Sequence, residues 1–368
     1  MGFLLKEIYS DSFYNNFADV VIEVLPAFDK KKFKQLIFNE NWQNKELKER
    51  MRHTSLVLGH FFPKDFEKAA DLIEKIITKL RQKKITETSI EFMFFPDYIE
   101  TYGIEQYDVS VRLIEFVTQF TSCEYAVRPF IMKYGDKMIS QMHQWSMHED
   151  HHVRRLASEG IRPRLPWAIA LPTLKKNPAA ILPILGNLKN DPSAYVRRSV
   201  ANNLNDIAKD HPEVVIKIAR EWKGVSKETD ALIKHASRTL LKKGNKEILR
   251  YYGLHDNTNL EISNFKITTP RVKTGSHLTF SFEVKNRSKK TKNVRLEYAI
   301  YFLLQNGRHY KKVFKISERQ ISGNDKIRIE KRHSFKPITT RRHYKGRHQV
   351  SVIINGQERK NGKFELVK

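Results

Sequence analysis

The chain has 368 residues, 40% of them hydrophobic, and its 67 Lys and Arg against 41 Asp and Glu leave a formal net charge of +26. That apolar content is enough for folded cores and excludes a disordered tail, while the charge favours a polyanionic partner, either nucleic acid or an acidic membrane surface. The one cysteine, Cys123, excludes an internal disulfide framework and a multi-cysteine zinc site.

Up to about residue 85 the pattern is helical: Phe13 to Val21 and Phe66 to Ile77 repeat apolar residues at the 3.6-residue spacing. The segment Glu91-Phe92-Met93-Phe94-Phe95-Pro96-Asp97-Tyr98 breaks that spacing and reads as a loop or irregular turn packed among the helices. Helix pairs resume from Val109 to Phe120 and from Tyr125 to Met142. The Phe and Met residues of this half read as core, because stacked helices require apolar stripes. Met1-Gly2-Phe3-Leu4-Leu5-Lys6 offers neither a signal peptide's charged front and long apolar core nor the Ser or Thr favoured for myristoylation. With no long apolar run elsewhere, no membrane partner is expected and a soluble cytoplasmic protein is.

The chain is organised around residues 146–167. Asp150 precedes Val153-Arg154-Arg155, and the same lettering returns as Asp191-Pro192-Ser193-Ala194-Tyr195-Val196-Arg197-Arg198 and, more weakly, from Ala231 to Ala236. Val153 and Val196 are 43 residues apart, and Val196 and Ile233 are 37 apart. Those spacings lie near the roughly 40–47 residues of a HEAT or armadillo unit, a stacked helix pair. After Ala157 the first copy departs from a plain repeat, since Pro163 and Pro166 cannot both lie inside one regular helix. An Arg-rich loop, with Glu159 before it and Trp167 after it, therefore caps this helix.

Near Tyr251-Tyr252-Gly253 the apolar period changes from 3.6 to 2. Seven candidate strands follow: Leu260 to Ile267, His277 to Val284, Val294 to Leu304, Tyr310 to Ile316, Lys326 to Phe335, Arg347 to Ile354 and Gln357 to Leu366. Turn signals such as Asn306-Gly307 and Asn355-Gly356 separate them. The expected fold class is multidomain: an all-α HEAT-like repeat solenoid over residues 1–252, followed by an all-β immunoglobulin-like sandwich over residues 258–368. The charge is uneven, because residues 255–368 hold 27 Lys and Arg against 9 Asp and Glu, net +18. Basic runs at Lys289 to Lys292, Lys331 to His333 and Arg341 to Arg347 make this domain an expected electrostatic clamp on DNA, with Arg341, Arg342 and Lys345 among its contacts.

His148-Glu149-Asp150-His151-His152 spells the metalloprotease pattern H-E-x-x-H, yet Asp150 sits where a repeat helix begins and leaves His148 in the preceding turn. No metal is expected. Three acidic residues are candidates for chemistry. Glu159, six residues after Val153, and Asp206, ten after Val196, fall on neighbouring parallel helices at different heights, and both can face one concave surface. Glu124 follows Cys123 at the start of the helix leading to Arg128, and taken alone it reads as a carboxylate favoured by the helix dipole.

Three stretches carry a family likeness: Thr121 to Phe130, Ala157 to Trp167, and Val196 to Asp206. Together, in this order, they resemble the AlkC branch of the HEAT-repeat DNA alkylation-repair glycosylases, whose sister branch is AlkD. The resemblance covers roughly residues 1–250, and the sandwich is similar to the accessory immunoglobulin-like domain of some AlkC proteins. It implies hydrolysis of the N-glycosidic bond of cationic N-alkylated bases, such as 3-methyladenine and 3-methylcytosine, in duplex DNA. It also implies Glu124, Glu159 and Asp206 as active-site carboxylates and Trp167 as the aromatic neighbour of the lesion. Double-stranded DNA is then the partner, a monomer at the nucleoid the expected form, and no cofactor is expected.

Elementary chemistry supports the same assignment. An alkylated base carries a positive charge and departs neutral, so no general acid is required. What remains is an oxocarbenium-like sugar that needs a carboxylate and a positioned water. No Lys stands out as a Schiff-base nucleophile, so strand cleavage is not expected. Arg154, Arg155, Arg197 and Arg198 on the repeat faces, and Arg162 and Arg164 in the loop, are candidates for phosphate contacts. About half of them are expected to bond a neighbouring repeat's Asp instead. The competing readings are a non-catalytic, damage-sensing binder of nucleic acid and, more weakly, a HEAT scaffold for acidic proteins.

Overall fold

The structure, a computed structural model, describes residues 4–85, 90–338 and 341–368. Among them the chain forms α1 (Asp11–Val24), α2 (Lys30–Ile37), α3 (Leu47–Leu58), α4 (Phe66–Gln82), α5 (Phe94–Tyr102), α6 (Tyr107–Thr118), α7 (Val127–Tyr134) and α8 (Asp136–Trp145). There follow α9 (His151–Glu159), α10 (Pro172–Lys176), α11 (Leu182–Asn187), α12 (Ala194–Ile207), α13 (Pro212–Glu221), α14 (Lys227–Ala236), α15 (Arg238–Lys242) and α16 (Lys246–Tyr251). The strands are β1 (Leu260–Ile267), β2 (Arg271–Lys273), β3 (His277–Asn286), β4 (Lys292–Leu303), β5 (His309–Ile321), β6 (Lys326–Ser334), β7 (Gly346–Ile354) and β8 (Gln357–Val367).

Local chemistry sets the helix starts. Asp29, Asp65 and Asp150 each stand one residue ahead of a helix, and their carboxylates accept first-turn N–H groups from Lys32 (2.9 Å), Lys68 (3.2 Å) and His152 (2.7 Å). Each such cap stabilises its helix by about 1 kcal/mol. The helices then stack in pairs, α3 on α5, α4 on α6, α9 on α12 and α12 on α14. Val153, Val196 and Ile233 are 0%, 0% and 1% exposed, so the recurring letter marks one repeated core position.

Two helical expectations need correction. Residues 91–98 are not a loop: Phe94 starts α5, and Pro96 falls in its first turn, where the missing N–H has no intrahelical partner to lose. The stretch from Tyr125 to Met142 is two helices, because Gly135 adopts φ +50° between α7 and α8.

The chain divides into two compact units, Met1–Ala236 and Ser237–Lys368. The second opens with α15 and α16, which pack with the strands. Gly244 between these helices runs so close to the β7–β8 turn that a Cβ on it would lie 2.8 Å from the Gly356 carbonyl oxygen. That turn is Asn355-Gly356 with φ of +47° and +77°, a two-residue hairpin of the kind its sequence signals.

The strands form a three-stranded sheet, β1-β3-β6, and a five-stranded sheet, β2-β8-β7-β4-β5. Phe280, Phe282 and Val284 of the first interleave with Val294, Leu296, Ile300, Val350 and Val352 of the second. All seven expected strands are present. The eighth, β2, pairs parallel with the end of β8, and at three residues, just after Pro270, it is too short to show alternation.

Not all of the basic runs are surface. Lys292 is buried and bonds Asp256 at 2.9 Å, and His333 turns inward, its Nδ1 2.8 Å from the Tyr298 hydroxyl. Burial, with the nearby His343 and Arg341 charges, lowers the His333 pKa from 6.5 to about 4. As pH falls, the unfolded chain therefore takes up this proton before the folded one does. The contribution of neutral His333 is present above pH 6.5 and is lost progressively towards pH 4. Denaturant unfolding of the full chain at pH 7.5 and 4.5 should show this unit weaker at the lower pH by about 2–3 kcal/mol. His333→Gln, which keeps an acceptor for Tyr298, should remove the His333 share of that slope and leave the shares of His343 and His348, whose pKa values burial also lowers.

Candidate active site

Glu159 is the last residue of α9, and the chain behind it cannot drift. A Cβ on Gly160 would lie 2.5 Å from Val127 Cγ2, so the end of α9 is pressed against α7. Alongside, Asn203 of α12 donates to the Ser158 carbonyl at 2.8 Å, which fixes the height of α12 against α9. Asp206, two turns beyond Ser199 on α12, is thereby brought to the same level as the loop that leaves α9.

Glu124 lies in the turn between α6 and α7, three residues ahead of Val127, and not in the helix itself. Its partner is the Arg155 guanidinium instead of a helix N-terminus. Ser122 Oγ donates to Glu124 Oε2 (2.9 Å) and accepts from Arg155 Nη1 (2.7 Å).

The three carboxylates are rungs of one charged ladder. Arg155 joins Glu124 and reaches Glu159 Oε1 at 3.6 Å. Arg162 donates to Glu159 Oε1 at 2.6 Å and to Asp206 Oδ2 at 2.8 Å, so a single guanidinium is shared between the two acids. Ser199 Oγ donates to Glu159 Oε2 (2.6 Å), and Lys209 Nζ donates to Asp206 Oδ1 (2.7 Å). Glu159 and Asp206 are only 5% and 1% exposed, yet hydrogen-bonded cations face them in place of an apolar seal. Burial works against the charge of Arg155, but the carboxylates of Glu124 and Glu159 raise its pKa. A cavity of about 180 Å³ lined by Ser122, Glu124, His152, Arg155 and Tyr195 opens onto the Glu124 end.

Trp167 stands apart from this ladder on the loop that continues from Arg162. It is 65% exposed and adopts φ +64°, a left-handed conformation that costs a bulky residue about 1–2 kcal/mol. Arg128, fully buried on α7, holds that loop from within: its Nε donates to the Ile169 carbonyl (2.6 Å), and its Nη1 to the Gly160 and Arg162 carbonyls (2.9 and 2.8 Å). Burial, together with the Arg162 charge, lowers the Arg128 pKa to about 10.

The remaining sequence candidates divide by environment. Arg154 reaches across to the next repeat and grips Asp191 (2.6 and 3.1 Å), the inter-repeat bond that such Arg pairs often make. Arg164 is bidentate to Asp210, and Arg197 donates to the carbonyls of Asp191 and Pro192. Arg198 is exposed in a groove between α12 and α14. In the sandwich, Arg341 lies 4.2 Å over the Phe302 ring, while Arg342 and Lys345 are exposed.

His148 is in the turn before α9, its Nδ1 accepting from the Asp150 N–H at 2.9 Å. It therefore does not share a helix face with His152. Among the described residues no group of three His, Cys, Asp or Glu side chains is placed to hold a metal, and no helix is long and apolar enough to cross a membrane.

Sequence reasoning missed Ser199, Lys209, Arg128 and Tyr195. The first two were within reach: Ser199 precedes Asp206 by seven residues on the same face of α12, and Lys209 follows it by three in the turn just beyond the helix. Arg128 is a charge on the apolar stripe of Val127, Phe130 and Ile131, which is itself a signal of a buried partner. Tyr195, with Arg155 4.9 Å over its ring, owes its role to a contact between repeats that no local pattern announces.

Stacked helix pairs followed by an immunoglobulin-like sandwich are the architecture of the AlkC-type DNA alkylation-repair proteins, and the chain belongs to that family. The family described as DNA alkylation repair enzyme matches residues 105–248, and the YhaZ C-terminal Ig-like domain family matches residues 261–368. The uncharacterized protein YhaZ of Bacillus subtilis (strain 168) is 42% identical over 362 residues, 98% of this chain and 99% of that one. The solved structure of Pseudomonas fluorescens alkylpurine DNA glycosylase AlkC, bound to DNA containing an abasic site analog, is 32% identical, with a TM-score of 0.93 over 99% of this chain and 100% of that one.

Removing the shared cation exposes what the ladder is worth. Arg162→Met leaves two buried carboxylates with one counter-charge fewer and should lower the unfolding free energy of the helical unit by about 3–5 kcal/mol, measured by urea denaturation.

Proposed function

We propose that the chain is a monofunctional DNA glycosylase that hydrolyses the N-glycosidic bond of cationic N-alkylated bases, of the 3-methyladenine and 3-methylcytosine class, in duplex DNA. The observation that carries this reading is the convergence of Glu124, Glu159 and Asp206 on two bridging guanidiniums. Family membership and the likeness to a glycosylase bound to DNA support it.

In this reading the damaged base leaves as a neutral molecule. The chain's task is to meet the positive charge left on the sugar and to hold the attacking water. Fixed carboxylates do both without reorganising during the reaction, which is how preorganised electrostatics lower a barrier. Glu124, at the cavity, is the acid best placed to receive the water's proton, with Glu159 and Asp206 behind it setting the field. Trp167 offers the cationic base an aromatic face, an attraction of about 0.5–2 kcal/mol that a neutral base lacks. Selectivity then follows from the charge of the lesion. Arg198, Arg342 and Lys345, exposed, are the cations best placed for phosphates, while the ion-paired Arg155 and Arg162 serve chiefly to hold the site and Arg154 to join neighbouring repeats.

Chromatography of bases released from separately defined substrates tests the reaction. Free 3-methyladenine or 3-methylcytosine is expected, with release slowed at least about a hundredfold in Glu159→Gln and in Asp206→Asn while DNA binding persists. A chelator should leave the rate unchanged. If neither lesion is released by the unaltered chain, the enzyme reading fails and a binding-only protein remains.

Binding itself should be dominated by phosphate contacts. With about six phosphates neutralised, affinity for duplex DNA is expected to fall by about three orders of magnitude between 50 and 200 mM salt, measured by fluorescence anisotropy. A flat salt dependence would count against the basic surface as a DNA grip.

A further inference from the structure

We propose that Lys48 is a positioning residue that locks the Trp167 loop in place; its consequence for base release rests on the glycosylase reading above. Lys48 is the second residue of α3, far from every residue of the ladder in sequence. Its Nζ donates to the Trp167 carbonyl at 2.7 Å, across 119 positions of chain. The same ammonium lies 5.2 Å over the ring of Tyr125, the residue after Glu124. One cation thus ties together α3, the turn that carries Glu124 and the loop that carries Trp167.

The loop needs such a tie on this side. Between α3 and the loop lies a cleft of about 430 Å³, lined by Arg52 and Leu56 from α3, Tyr125 and Pro129, and Ala168 and Ile169 from the loop. Apolar packing therefore cannot brace the loop here, and the Lys48 hydrogen bond spans the gap. Trp167 also sits in a backbone conformation that its side chain disfavours, so it keeps φ +64° only while its surroundings impose it. Arg128 secures the carbonyls on either side, at Arg162 and Ile169, whereas Lys48 holds the carbonyl of Trp167 itself. Without the ammonium the residue is free to relax, and the indole moves with it.

The chain carries its own reporter. Trp42, Trp145 and Trp222 are 3%, 1% and 8% exposed against 65% for Trp167, so acrylamide quenching of the intrinsic fluorescence reads Trp167 almost alone. Lys48→Met keeps the reach of the side chain and removes its donors. It is expected to shift the quenching constant and emission maximum of the full chain. Single-turnover base release should fall roughly ten- to a hundredfold, with less than about a threefold change in the Kd for duplex DNA at fixed salt, the loss expected from one phosphate contact at most. Lys48→Arg, which restores a cationic donor, should recover both readouts in part. Lys48→Gln gives the same comparison if the Met variant does not fold.

Unchanged quenching in Lys48→Met overturns the lock, including the case in which only DNA affinity drops. Shifted quenching with unchanged release overturns its part in the reaction. A parent chain that releases no base sinks the glycosylase reading instead, and leaves the fluorescence comparison to decide the lock on its own.

Discussion

Alternating charges, Glu124, Arg155, Glu159, Arg162, Asp206 and Lys209, run through the helical unit, with Glu159 and Asp206 each between two cations and Glu124 at the end of the series beside Arg155. Taking any of these inner groups out of water alone would be strongly unfavourable, and only as an ordered series do they offset one another's desolvation. The rest of the unit can be understood as what keeps that series in register. α9 is pinned to α7 by the tight fit at Gly160 and to α12 by the bond from Asn203 to Ser158. The loop after α9 is clamped by the Arg128 guanidinium, whose Nε and Nη1 donate to three backbone carbonyls. A buried ion series adds little net stability, so its presence in so apolar a stack is better explained by the geometry it enforces than by the energy it contributes.

Repetition is what brings the acids together. One helix pair presents Glu159 and the next presents Asp206, and the stacking of α9 on α12 converts a separation of 47 positions into a shared hydrogen-bond partner. Glu124 comes from a third element, a turn, and is the most open of the three. The arrangement grades from a nearly sealed acid at Asp206 to one that borders a cavity at Glu124. That gradient suits a division of work between an interior field and a surface that can meet water.

Much of the fold was legible because two periods are strong and local. The Asp-x-x-Val-Arg-Arg lettering around Val153 marks a cap followed by a buried stripe, and both features stand in the structure. Alternation identified the longer strands for the same reason. What failed was governed by context: Pro96 looks like a break until it is seen to fall in a first turn, and three residues of β2 carry no period at all. The acidic residues could be singled out from sequence, but their pairing could not. That Arg155 serves two acids while its neighbour Arg154 serves another repeat depends on one hundred degrees of rotation about α9, which adjacent identical letters cannot reveal.

The shared guanidinium of Arg162 has an evolutionary corollary. Because it answers to Glu159 and Asp206 at once, the fitness of a change at any one of the three positions depends on the identity of the other two, and substitutions there combine non-additively. Lineages cannot readily drift through the region one letter at a time. The triad should be inherited or abandoned as a block.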